Sequence, residues 1–92
     1  MGSRLDKRRA SSDFTTGTFT TDTTARQLPD RPGQRIVLQA DPGNSVNIVF
    51  GGASSQDLIL APGASWDAAL NNLNLVWVSS STSGQTLHWG VG

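Results

Sequence analysis

The chain contains no cysteine and no glutamate, only one histidine, and no lysine or arginine beyond Arg35. Without cysteine there is neither a disulfide nor a thiolate zinc site. The lone His88 cannot by itself build an imidazole metal cluster. The absence of glutamate removes the commonest carboxylate pairing of glycosidases, although aspartates could substitute. No apolar run approaches the ~20 residues that span a bilayer. The basic residues near Met1 are not followed by the apolar stretch of a secretory signal, so no membrane association is expected. A cysteine-free chain fits synthesis in a reducing cytosol. At 92 residues the chain makes one domain plus, at most, a tail. Small domains are usually stapled by disulfides or metal. Neither is expected here, so association with other chains is the expected source of added stability.

Formal charge sums to zero, with seven cations against seven aspartates, but the two signs are not mixed. Residues 1–13 hold Arg4, Lys7, Arg8 and Arg9, whereas Ile36 to Gly92 keeps only Asp41, Asp57 and Asp67. The sequence therefore predicts a basic N-terminal arm, 1–13, ahead of a nearly uncharged domain, 14–92. Asymmetry of this kind points to interaction. Three adjacent cations with no basic surface behind them are a weak nucleic-acid signal, and a protein partner is the better expectation. Arg4, Lys7, Arg8, Arg9 and Phe14 are the partner-binding candidates.

What the domain does have is short alternating apolar runs punctuated by turn residues. Phe14 to Thr24 is threonine-rich and favours extended chain, with Phe19 as its buried anchor. Ala25 to Gln34 reads as a loop broken by Pro29 and Pro32, with Leu28 plugging the core edge. Ile36-Val37-Leu38-Gln39-Ala40 and Ser45-Val46-Asn47-Ile48-Val49-Phe50 flank Asp41-Pro42-Gly43-Asn44. That arrangement predicts a β-hairpin, with Gly43 able to take positive φ. Asp57 to Leu60 is a short strand, Ala61-Pro62-Gly63-Ala64 a type II turn, and Ser65 to Leu70 a strand or one helical turn. Leu73 to Ser79 places Leu75 and Trp77 on one face and Val76 and Val78 on the other, so it is either central or has one face against a partner. Gln85 to Val91 closes the chain. Six or seven short strands at this spacing predict an all-β fold: a small antiparallel β-sandwich or jelly-roll-like barrel with an extended N-terminal arm.

Catalytic chemistry has little to work with. A base beside a nucleophile, paired carboxylates or a metal would be needed. His88, between Leu87 and Trp89, reads as a surface or interface side chain. No Asp-x-Asp-x-Asp calcium loop exists, and Gly51-Gly52 lacks the lysine of a phosphate loop. No enzyme activity, metal or cofactor is expected. Phe19, Trp66, Trp77 and Trp89 are the candidates for packing or subunit contacts, the tryptophans supplying bulk to a domain with few large side chains. The rival role for the tryptophans is stacking on sugar rings.

The turn motifs Asp41-Pro42-Gly43-Asn44, Leu60-Ala61-Pro62-Gly63, Asn72-Leu73-Asn74 and Gly84-Gln85-Thr86-Leu87 occur together. From about Gly17 to Val91 the chain resembles a group of small tailed-bacteriophage virion proteins. It departs from their pattern at Ala64, where an acidic residue is frequent, and in having Trp77 near the place of a tyrosine after Asn-Leu-Asn. The resemblance implies a structural β-sandwich on the virus particle, such as a capsid decoration (cement) protein that bridges major capsid subunits. It would be made in the host bacterial cytoplasm and carried on the virion surface. A homo-oligomer is expected, with a trimer favoured. The alternatives are a neck, tail or fibre component and a carbohydrate-binding module.

Overall fold

The computed structural model describes residues 14–92; the arm candidates Arg4, Lys7, Arg8 and Arg9 lie outside the described residues. Eight strands follow in order: β1 (Thr15–Thr20), β2 (Arg26–Gln27), β3 (Ile36–Ala40), β4 (Ile48–Gly51), β5 (Leu58–Leu60), β6 (Ser65–Ala68), β7 (Trp77–Ser80) and β8 (Thr86–Val91). A 3-10 turn over Leu73–Leu75 precedes β7. The strands form two four-stranded antiparallel sheets, ordered β1-β8-β3-β6 and β2-β7-β4-β5. Of the seven connections, only β4 to β5 stays within a sheet; each of the others crosses to the opposite one.

Strand alternation then fixes what is buried, because successive side chains point to opposite faces. Ile36, Leu38 and Ala40 of β3 join Leu87, Trp89 and Val91 of β8 from the first sheet. Ile48 and Phe50 of β4, Leu60 of β5 and Val78 of β7 come from the second, and all belong to one buried cluster. Leu28 and Leu73 close it from the connections, at 2% and 0% exposure. Phe50 and Trp66 meet between the sheets, their ring centroids 4.9 Å apart.

The hairpin predicted over Ile36 to Phe50 does not form. β3 pairs with β6 and β8, β4 pairs with β5 and β7, and Asp41 to Asn47 carries the chain from one sheet to the other. The reason lies in the turn. Asn44 N–H donates to the Asp41 carbonyl at 3.0 Å, while Gly43 is not among the positive-φ glycines, which are Gly63 and Gly84. Pro42 locks its own φ near −65°, so the primed turns of a two-residue hairpin are excluded, and Asn44 and Ser45 are tied instead to Thr86 and Gln85. The Ala61–Ala64 turn is as expected: Ala64 N–H donates to Ala61 O at 2.8 Å and Gly63 has φ +83°.

Two other expectations need correcting, and one left open is decided. Arg26–Gln27 is a short strand on β7, not loop. Leu73–Leu75 is a 3-10 turn because Asn72 caps it, its Oδ1 accepting from Asn74 N–H at 3.0 Å, so β7 begins only at Trp77. Ser65–Ala68 takes the strand option.

Candidate interaction surfaces

The turn motifs are structural ties. Asn44 mimics a strand residue: its Nδ2 donates to Thr86 O at 2.9 Å, and its Oδ1 accepts from Thr86 N–H at 2.8 Å. Gln85, only 5% exposed, accepts from Ser45 N–H at 2.8 Å and Val46 N–H at 3.3 Å through Oε1. Together they fasten the β3–β4 crossing to the start of β8. Asn72 does the same at the opposite crossing. Its Oδ1 also accepts from Arg31 N–H at 3.0 Å, and its Nδ2 donates to Asp30 Oδ1 at 2.7 Å. Thr21, Ser80 and Gln85 satisfy one another at the edge of the core, with Thr21 Oγ1 2.6 Å from Ser80 Oγ and accepting from Gln85 N–H at 3.2 Å.

The aromatic candidates divide by face. Trp89 is 7% exposed and Phe19 and Trp66 pack against the buried cluster. Arg31 lies over the Trp89 ring, its guanidinium carbon 5.8 Å from the centroid. Trp89 Nε1 is buried without a hydrogen-bond partner among the described residues. Trp77 is different. It sits opposite Gln27 and Gly51 and points away from the core, half-buried. Val49 of the same outer face pairs with Ile59, which is 65% exposed, and Leu75 beside the start of β7 is 52% exposed. The outward strand residues of this sheet, Gln27, Trp77, Ser79, Val49, Gly51 and Ile59, carry no charge. An uncharged face with exposed Ile and Leu side chains is the kind of surface that marks an interaction site.

The outer face of the first sheet is polar, with Thr16, Thr18 and Thr20 beside Thr86 and His88. Phe14 lies across Gly90 and Gly92 and stays 66% exposed. It forms one wall of a groove of about 150 Å³ with Thr16, Val37, Gln39 and His88. His88 Nε2 and Asp41 Oδ1 are 2.9 Å apart, and Asp41 Oδ2 accepts from Gly43 N–H at 2.8 Å. These two hydrogen bonds, the one with His88 first, hold the Asp41 carboxyl below the usual aspartate range.

Each cation among the described residues is engaged. Arg26 pairs with Asp22 at 2.7 Å, Arg35 with Asp67 at 2.6 Å, and Arg31 donates to Asp30 O while covering Trp89. No group of three or more metal-ligating side chains occurs among the described residues.

Sequence reasoning locates the aromatic residues but not their faces, gives Gln85 only as part of a turn motif, and passes over the Val49–Ile59 pair. The alternation of Val49 with Ile48 and Phe50 was the signal for an apolar outer face. Compared with protein-family models, with curated proteins and with solved structures, the chain matches none of them.

Proposed function

We propose that this is a structural protein of a tailed-phage virion that decorates the capsid, bridging major capsid subunits without performing any chemistry. The strand orders β1-β8-β3-β6 and β2-β7-β4-β5 are read as a jelly roll, a two-sheet architecture that recurs in viral capsid and lectin domains. The single observation that carries the reading is the uncharged outer face of β2-β7-β4-β5, which presents Val49, Ile59 and Trp77, with the exposed Leu75 in the turn just ahead of β7. The rest of the domain supports it. Its low charge lets many copies crowd one shell without repulsion, and its engaged arginines leave little to hold nucleic acid. The basic arm supplies a second attachment to an acidic subunit surface, and many two-point attachments acting together give avidity.

The test is cosedimentation with phage shells stripped of decoration protein. Ile59→Asp combined with Trp77→Ser, and separately deletion of Met1 to Ser12, are each expected to weaken binding. Undiminished binding by both would refute the role. A few copies per particle instead of hundreds would move the protein to the neck or tail. One further observation favours a glycan-binding reading: of three tryptophans, only Trp77 faces outward. A glycan array with Trp77→Ala as control separates this from shell binding, since Trp66 is part of the packing and its loss would confuse folding with recognition.

A further inference from the structure

We propose that β1 is a self-pairing edge, through which two copies join antiparallel about Thr18 into one continuous eight-stranded sheet. The four sheet edges differ in how they are protected. β2 has two residues, one of them Arg26; β5 has three, set between Asp57 and Pro62; β6 has four and carries Asp67, held by Arg35. Short length, charge and proline are the usual devices that stop an edge from templating another strand. β1 has none of them within its length, its nearest charges in sequence being Asp13 and Asp22, two residues beyond either end. It is six residues long, uncharged, free of proline, and runs in unbroken register with β8 from Thr15↔Val91 to Thr20↔Thr86. Among the described residues nothing pairs with its other side.

The backbone groups it leaves open are identifiable. Thr21 N–H donates to Gln85 O, continuing the β1–β8 ladder. Antiparallel bonding alternates along a strand, so Thr15, Gly17 and Phe19 bond β8 while the N–H and C=O of Thr16, Thr18 and Thr20 point outward. Pairing Thr18 with Thr18 of a second copy sets Thr16 opposite Thr20 and Gly17 opposite Phe19. Every open backbone group then meets another open one. The outer face becomes a ladder of threonine pairs, which favour one another across strands. On the inner face each Phe19 lies against the glycine of the other copy, the aromatic-on-glycine arrangement that stabilises edge glycines. Gly17 is already covered by its own Trp89, since a Cβ there would fall 2.4 Å from Trp89 Cζ2, so the incoming Phe19 would pack beside that ring. The occupant that fits this register is therefore a second copy of this chain, and the assembly is two-fold, in place of the trimer expected from the resemblance.

The full-length chain is tested by sedimentation equilibrium. A reversible dimer is expected. Thr18→Lys, which adds a charge at the symmetry axis on an exposed side chain, should leave the circular dichroism unchanged and raise the dimer dissociation constant by roughly tenfold or more. Because the chain has no cysteine, register can be read by oxidation. Thr18→Cys alone should cross-link into dimers, since opposed strand residues lie within disulfide reach. Thr16→Cys alone should not, whereas Thr16→Cys mixed with Thr20→Cys should. A wild-type chain that stays monomeric up to its solubility limit, as it would if residues 1–13 of the same chain covered the edge, overturns the proposal. So does cross-linking of Thr16→Cys alone as efficient as that of Thr18→Cys. Shell binding by such a monomer would leave the proposed function intact.

Discussion

Three glycines offer a test of what sets the cost of overpacking in this domain. A Cβ at Gly17 would fall 2.4, 2.7 and 3.1 Å from three atoms of the Trp89 ring. That ring is 7% exposed and has the Arg31 guanidinium on it, so it has little room to retreat. Overfilling a packed site of this kind costs about 1–3 kcal/mol. Replacing a strand glycine with alanine recovers about 0.5–1 kcal/mol of backbone entropy. Gly17→Ala should therefore destabilise by about 1–2 kcal/mol net, lowering Tm by roughly 4–16 °C at the usual scaling for a domain of this size. Gly90→Ala creates a similar overlap, 2.7 Å from Phe14 Cζ, but Phe14 is 66% exposed and free to swing away. Its net effect should stay within about 0.5 kcal/mol. Gly52→Ala meets nothing within 4 Å and should be neutral or mildly stabilising. Thermal and urea unfolding at one fixed, low protein concentration would measure all three. Equal losses for Gly17→Ala and Gly90→Ala would refute the reasoning, because both overlaps lie under 3.0 Å, at 2.4 and 2.7 Å, while the freedom of the neighbour differs sharply.

Gln85→Leu should cost about 1–3 kcal/mol in urea unfolding, because the Ser45 and Val46 N–H groups lose their acceptor at a part-buried crossing. Trp66→Ala should lower Tm by several degrees through loss of the Phe50 contact between the sheets, whereas Trp77→Ala should leave Tm within a degree or two while weakening shell binding. Asp41 has a lowered pKa in the fold, so its stabilising contribution is full above the unfolded aspartate value of about 3.9 and disappears as pH falls through the folded value. The Tm gap between wild type and Asp41→Asn should accordingly be present at pH 6 and shrink as the medium is acidified below about pH 4; a gap independent of pH would count against the His88–Asp41 pair.

How much of this was legible beforehand depends on the range of the interaction. Strand positions followed from alternation, since Ile36, Leu38 and Ala40 on β3 and Leu87, Trp89 and Val91 on β8 carry their burial in a period of two. Pairing partners did not, because alternation says which face is buried and not across from what. Pro42 at the first corner of Asp41–Asn44 forbids the mirror-image turns of two-residue hairpins, but longer hairpin loops tolerate it, and the crossing is decided by the ties of Asn44 and Ser45 to groups 42 and 40 residues away. The outward face of Trp77 is half legible: alternation sets Trp77 opposite Val78, but both are apolar, and only the β4–β7 pairing decides which one meets the core. Gln85 gave no local sign, because its role depends on backbone groups 39 and 40 residues away.

Among the described residues the first and last strands are hydrogen-bonded neighbours, and six of the seven connections change sheets. Neither layer can be completed from one contiguous stretch, and β1 has no strand to lie against until β8 has left the ribosome. Proteins dominated by such distant pairings fold in milliseconds to seconds, well behind helical domains of equal length. During synthesis the threonine-rich strand therefore waits unpaired longer than any other, and crowded nascent copies would meet first through it.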